Sequence, residues 1–397
     1  MKTMFLSMAA AALLALSMES PVYAQHYTQV NLVANTAGVA PVTDPNLVNP
    51  WGLSRSSGSP WWVSDNATGL STLYNGAGTI VPLIVNIPKA NPNSTTFPTG
   101  TPTGTIANSS PTDFLLAPGA PAAFLFATLD GTIAGWNPTV AVAAGASRST
   151  QAVAEVITTD GSSYTGLTSA TINGSRYLYA ANFTKGTVDV YNNAFQKVTL
   201  PVIHDGDEDH HFARAFTDDF LPRHFAPFNV QAIGNNIVVA FALHEPGQAH
   251  ETDGPGLGFV DIFSSDGRLL SRLEHGDWLN APWGVALAPL DFGVYSHDLL
   301  VGQFAGAGTT AGSGTIAAYD LATGRFVGLL EDAAGTPLAI NGLWDITPGN
   351  SATANSYDSA NSPASEIYFS AGPNNSTGGL LGYIAPVATE LVVGNDQ

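Results

Sequence analysis

Asn49-Pro50-Trp51-Gly52-Leu53 opens a unit that runs on through Trp61-Trp62-Val63-Ser64-Asp65 to Leu73-Tyr74-Asn75. A polar and aromatic cluster enters an apolar strand; after a turn comes a second, very apolar strand, then a Gly-bearing loop and a third strand ending in an aromatic and a polar residue. The chain repeats this unit. Equivalent entries are read at Pro111-Thr112-Asp113-Phe114, Tyr164-Thr165-Gly166-Leu167, Ala226-Pro227-Phe228-Asn229, Ala281-Pro282-Trp283-Gly284 and Asn341-Gly342-Leu343-Trp344. Measured at Pro50, Pro111, Gly166, Pro227, Pro282 and Gly342, the spacings are 61, 55, 61, 55 and 60 residues. So even a period marks a repeat architecture.

Second strands are expected at 61–65, 123–129, 176–183, 237–243, 298–304 and 366–371. The third strands carry the clearest echo, with Tyr74, Trp136, Tyr191, Phe263, Tyr319 and Tyr383 each followed by a turn residue or a strand end. An aromatic recurring at one place fills the wedge between neighbouring sheets. A fourth strand follows in most copies, as at 79–87 and 326–331. Six copies of a four-stranded antiparallel unit describe an all-β fold, a six-bladed β-propeller. The last copy lacks a fourth strand, and the alternating segment 27–33 has no partner of its own. This N-terminal strand is expected to join the last blade and close the ring, which removes two sheet edges.

Composition sets the class of partner. Apolar types are 45% of the 397 residues and charged types 11%, enough to build a large core. The 41 Gly and 26 Pro suit many short strands better than long helices. Only 12 Lys and Arg stand against 31 Asp and Glu, a formal charge of −19, so the counterion release that drives nucleic-acid binding is missing. No nucleic acid and no anionic membrane surface is expected as a partner.

Residues 1–24 read as a secretory signal peptide: Lys2, an apolar block over 4–18, and Val22-Tyr23-Ala24 before the expected cut. The apolar block is shorter than the roughly 20 residues that span a bilayer, and no later segment is long enough either. Residues 25–397 then form a single domain, secreted or periplasmic, without cysteine and so without disulfides.

Five stretches carry a resemblance. Asp44 to Leu53, Phe225-Ala226-Pro227-Phe228-Asn229-Val230-Gln231, Gly256-Leu257-Gly258-Phe259-Val260-Asp261, Leu279-Asn280-Ala281-Pro282-Trp283-Gly284 and Phe369-Ser370-Ala371-Gly372-Pro373-Asn374 resemble an uncharacterised family of secreted bacterial proteins, some with a PEP-CTERM sorting tail. The end of this chain, Glu390 to Gln397, departs from the tailed members, which implies a free rather than anchored protein. More distantly the repeats resemble NHL-type propellers and the gluconolactonase and paraoxonase group, whose members hold a divalent cation in the central channel. The resemblance implies a fold and a compartment and no reaction.

Chemistry is expected on the face where second strands hand over to third strands and one blade to the next. Two polar insertions belong there: one from His204 through Asp207, Asp209, His210 and His211 to His224, the other from His244 through His250 to Asp253. Imidazole with carboxylate suits zinc, copper or manganese, and the acidic run suits calcium. Their plain reading is a pair of solvated loops, since no short ligand motif such as His-Glu-x-x-His occurs. A second candidate is the channel, where Asn49, Asp65, Asp113, Asn182, Asn229, Asn280 and Asn341 stand near blade entries or strand ends. Such residues also cap turns. Trp51, Trp283 and Trp344 read as core wedges, or as platforms for sugars at the mouth. With no Gly-x-Ser-x-Gly and no Cys, nucleophilic catalysis has little support. Two readings follow: a binding module for a small molecule, glycan or protein, with one divalent cation, calcium or zinc, as an optional part; or a metal-dependent hydrolase of lactonase or esterase type using a channel cation. No organic cofactor is expected.

Overall fold

The computed structural model describes residues 25–201, 203–204, 212–306, 314–350 and 365–391, with backbone alone at 203, 204, 212 and 213. Six antiparallel sheets form a closed ring in which each inner strand touches the next and the sixth touches the first. The inner strands are Pro50–Ser54, Pro102–Ala107, Tyr164–Ile172, Phe225–Ile233, Pro282–Leu287 and Leu343–Pro348. Each pairs with a strand that runs back, and from there the blade builds outward in chain order through its third and fourth strands, except in the sixth. This is the six-bladed β-propeller.

Blade six takes its outer strand from the N-terminus. Tyr27–Ala34 runs antiparallel to Leu380–Pro386, with Tyr27 opposite Pro386 and Ala34 opposite Leu380. Val42–Thr43 lies parallel on its far side. The two ends of the chain thus share one sheet, as expected from 27–33.

Two details of the repeat are corrected. Pro111-Thr112-Asp113-Phe114 does not enter blade two; Pro102–Ala107 does, and the misread cluster lies in the connection to Phe124–Thr128. Phe114 imitates an entry aromatic because it is fully buried, packed 5.5 Å from Phe195 of blade three. Tyr383 is also out of register. Where Tyr74, Trp136, Phe263 and Tyr319 pair with the first core residues of their second strands, the equivalent in blade six is Ile384 opposite Ile367. Ile384 faces blade five, and Tyr383 turns toward blade one beside Tyr368.

The wedges are aromatic. Between blades one and two, Trp62 stacks on Phe124 at 4.2 Å and meets Trp136 at 4.7 Å. Full burial of one such side chain contributes roughly 1.5–3 kcal/mol, and every blade interface has its own cluster.

Near the axis the strands come closer than side chains allow. Gly52, Gly104, Gly166 and Gly284 occupy one position of four inner strands; a Cβ on Gly52 would lie 2.5 Å from the Thr103 carbonyl, and one on Gly104 would lie 2.4 Å from Leu167 N. Blades four and six place Asn229 and Asp345 there instead. Both side chains bond directly to a neighbouring inner strand: Asn229 Nδ2 donates to Trp283 O at 2.8 Å, and Leu53 N–H donates to Asp345 Oδ2 at 2.7 Å.

Candidate functional site

One residue earlier on the same strands stand Trp51, Thr103, Thr165, Phe228, Trp283 and Trp344, and the four aromatics meet across the axis. Trp51 stacks on Trp344 at 3.5 Å, lies edge-on to Trp283 at 6.1 Å and reaches Phe228 of the opposite blade at 6.3 Å. Phe304 stacks on Trp344 at 3.9 Å, and Phe183 packs on Phe228 at 5.1 Å. All six aromatics are at most 6% exposed. Trp283 Nε1 donates across to Thr165 O at 3.0 Å, and Trp344 Nε1 to Asn49 Oδ1 at 2.9 Å. Trp51 Nε1 is buried without a partner among the described residues. The recurring tryptophans are therefore an axial stack and not wedges between sheets.

The residues expected to line a channel are bonded to neighbouring backbone and side chains. Asn49 takes the Trp344 indole and donates toward Asn66 at 3.4 Å. Asp65 accepts Thr72 N–H at 3.0 Å, and burial raises its pKa well above the usual carboxylate range. Asn182 donates to Ser162 and to Asp189, both at 2.9 Å. Asn341 accepts Asn374 N–H at 3.2 Å. Asp113 sits apart from the mouth, accepting Ser110 Oγ at 2.6 Å and Asn193 Nδ2 at 2.8 Å. These hydrogen bonds, with the Arg176 guanidinium at 3.9 Å, hold its pKa below the ordinary value.

Among the described residues the two polar insertions meet at their bases. His244 N–H donates to the His224 carbonyl at 2.7 Å, which joins their ends on the loop face. His224 is exposed, and His244 packs its ring 4.5 Å from Phe183 while Nε2 meets Gln248 O at 3.1 Å. His250 is exposed. Asp253 is half-buried, and burial raises its pKa to about 6; Glu251 is raised to about 7 by burial, with Asp253 a smaller cause. His204 lies in a short strand opposite Phe212. Asp207, Asp209, His210 and His211 lie outside the described residues. Beyond them the first insertion follows the flank of blades three and four: Phe216 N–H donates to Gly267 O, in the turn at the opposite face of the disc. Among the described residues, no three His, Asp or Glu side chains come together in a group able to hold a metal.

What the loop face offers is a cleft of about 480 Å³ above blade five, within the size range of small-molecule sites. Pro255, just after the second insertion, Trp278 and Asn280 of the segment entering blade five, Leu329 of its outer strand and Pro337 of the segment leaving it form the walls, with Asp277 and Thr315 beside them. Trp278 is fixed: its ring stacks on Phe326 at 4.0 Å, and Nε1 donates to the Tyr319 hydroxyl at 2.7 Å. Asn280 is 2% exposed; its backbone N–H donates to Gln303 Oε1, and its Oδ1 accepts Gly254 N–H at 2.8 Å. That bond sets the amide orientation and leaves Nδ2 as a buried donor without a partner among the described residues. Asn280, expected in the channel, belongs to this wall. Trp278 and Asp277 escape a reading by repeats, since neither stands in a repeated position. No helix among the described residues is long and apolar enough to cross a membrane.

No family model matches the chain. Three proteins of Acanthamoeba polyphaga mimivirus, described as uncharacterised, are similar to it. One is 28% identical over 354 residues, covering 89% of this chain and 78% of the relative; a second is 28% identical over 355 residues, covering 88% and 83%. A third is 32% identical over 233 residues but is covered over 38% of its length. These relatives are viral. Among solved structures, a protein of unknown function from Bacteroides thetaiotaomicron is 11% identical with a TM-score of 0.49, covering 91% of this chain and 76% of that one. A gluconolactonase from Xanthomonas campestris is 13% identical with a TM-score of 0.34, covering 66% and 82%. The fold rests on the six sheets described above.

Proposed function

We propose that the protein is an exported binding module, released by removal of residues 1–24, that holds a neutral, hydroxyl-rich ligand such as a sugar unit of a glycan in the cleft above blade five. The observation that carries this reading is the axial stack. With Trp51, Phe228, Trp283 and Trp344 packed together on the axis, the cleft above blade five is a cavity that stays open on the loop face. Its walls are mostly apolar; Asn280 brings a buried amide, Thr315 a buried hydroxyl and Asp277 an exposed carboxylate. No Lys or Arg lines it among the described residues. A phosphate or carboxylate ligand would find no counter-charge there in a protein of formal charge −19. A hydroxylated ring can offer an acceptor to Asn280 and a donor to Asp277 at once.

The same stack weighs against the channel hydrolase, because it fills the axis where a cation would sit, and the nearby amides already serve backbone or indole groups. A calcium or zinc ion at the polar insertions stays part of the proposal only as a support for those loops. A glycan array followed by titration calorimetry tests the reading. Binding by the wild type that falls at least about tenfold in Asn280→Leu, roughly the 1.4 kcal/mol of one hydrogen bond, is expected. Equal binding by the variant, or no binding to any neutral glycan, would sink it.

A further inference from the structure

Gln25 is 6% exposed, although the first residues of a domain fray unless something ties them down. Several contacts tie this one. Its side chain lies against Gly293, where an added Cβ would stand 2.5 Å from Gln25 Oε1. Nε2 donates to the His26 carbonyl at 3.0 Å and to the Val387 carbonyl at 3.4 Å. Next in the chain, His26 N–H donates to Glu390 Oε2 at 2.7 Å, and Val387 N–H donates back to His26 O at 2.9 Å. Tyr27 N–H then reaches Glu331 O, and its hydroxyl reaches Phe292 O, both at 2.8 Å. Gln25-His26-Tyr27 is a wedge between blade five and the C-terminal residues of blade six.

The cut expected after Val22-Tyr23-Ala24 falls immediately before this wedge. It would make Gln25 the first residue, and a glutamine with a free α-amine is the one standard side chain whose amide can close a five-membered lactam onto it. We propose that Gln25 of the processed chain is a modification site and carries this lactam, 5-oxoproline. The α-nitrogen attacks Cδ, the Nα–Cδ bond forms and the Cδ–Nε2 bond breaks. Nε2 leaves as ammonia, taking one proton from the attacking nitrogen, and nothing is oxidised or reduced. The proposal rests on the export reading above.

Three features of the site suit the product. A free terminus would put an ammonium on a residue that is 6% exposed, and taking a charge out of water is costly; the lactam is neutral. Its ring also removes the rotamer freedom that a glutamine must give up to seat against Gly293. The Oε1 carbonyl beside Gly293 is kept, while the Nε2 bonds to the His26 and Val387 carbonyls leave with the ammonia. Closing the ring of blades with a blocked, buried first residue also gives an exported chain no amine end for an aminopeptidase.

The test is the N-terminus of full-length protein expressed with its own leader and collected freshly from the periplasm. The expected intact mass is that of residues 25–397 less one ammonia. Sequential degradation should give no residue until pyroglutamyl aminopeptidase is added, and then begin at His26. Gln25→Ala, exported in the same way, should release alanine in the first cycle without the enzyme. An open Gln25 amine overturns the lactam and leaves the processing site standing. A start at any other residue overturns both, and a blocked Gln25→Ala chain shows that the block is not this ring.

Discussion

The axial stack and the blade-five cleft are built from the same materials and end in opposite states. On the axis, Trp283 and Trp344 come from inner strands, spend their indole N–H groups on Thr165 O and Asn49 Oδ1, and are 2% exposed. At the cleft, Trp278 comes from a connecting segment and satisfies its N–H on Tyr319, leaving a partly buried ring in the wall of a cavity. Six strands converging on a point leave no room; connecting segments over one blade stand apart. Position in the repeat, more than residue type, decides whether an aromatic plugs or lines. Trp344→Ala is the strongest test, because Trp344 touches Trp51, Phe228, Trp283 and Phe304. It should cost about 3–5 kcal/mol in urea unfolding, as large-to-small core changes do; a loss under about 1 kcal/mol would mean that the axis is not the keystone.

Next in size is a pH effect that also separates the centre from the surface. Burial raises the pKa of Asp65 well above the usual range, that of Asp345 to about 7 and that of Asp261 to about 8, the last with help from Asp218. In the unfolded chain each titrates near 3.8. As pH rises from about 4 to 8, the unfolded chain gives up these protons more readily than the folded one, so stability falls. Exposed carboxylates such as Asp320, Asp332 and Glu390 are shifted down by hydrogen bonds and work the other way, their contribution fading below about pH 4. Urea melts should therefore be most stable between about pH 4 and 5. Asp345→Asn copies what blade four does with Asn229. It should be more stable than the wild type at pH 8, by up to about 2–4 kcal/mol, and within about 1 kcal/mol of it at about pH 5. An unchanged difference across that range would show that Asp345 is not protonated in the fold.

Most of the ring was legible in the sequence because each blade must place an apolar second strand and a wedge residue at similar distances from its entry. Blade two hid its entry because Thr103 replaces the aromatic, while Phe114 supplied one in the wrong place. The better guide was Pro-x-Gly, shared by Pro50-Trp51-Gly52, Pro102-Thr103-Gly104 and Pro282-Trp283-Gly284, since glycine marks where strands nearly touch. Tyr383 misled for a related reason: a one-residue shift moves a side chain to the other face of a sheet. The cleft was not legible at all. Pro255, Trp278 and Pro337 come from three separate connections, and no period relates them. Nor can composition separate an Asn whose amide is spent inside the core, such as Asn49 on the Trp344 indole, from one whose amide nitrogen is buried without a partner among the described residues beside a cleft, such as Asn280.

A matched pair of indole-to-phenyl changes sharpens the contrast at its finest grain. Trp283→Phe keeps the ring in the axial stack but strips the donor from Thr165 O, a carbonyl of a 3%-exposed residue. A buried acceptor left without a partner costs about 1–3 kcal/mol. Trp278→Phe keeps the contact with Phe326 and removes the donor to the buried Tyr319 hydroxyl; because Trp278 lines the cleft, water entering there is expected to take the lost position. Its cost should stay below about 1 kcal/mol, and any glycan affinity should change more than the unfolding midpoint does. Equal costs for the two variants would mean that solvent does not reach the foot of the cleft, and the distinction between a plug and a wall would then fail.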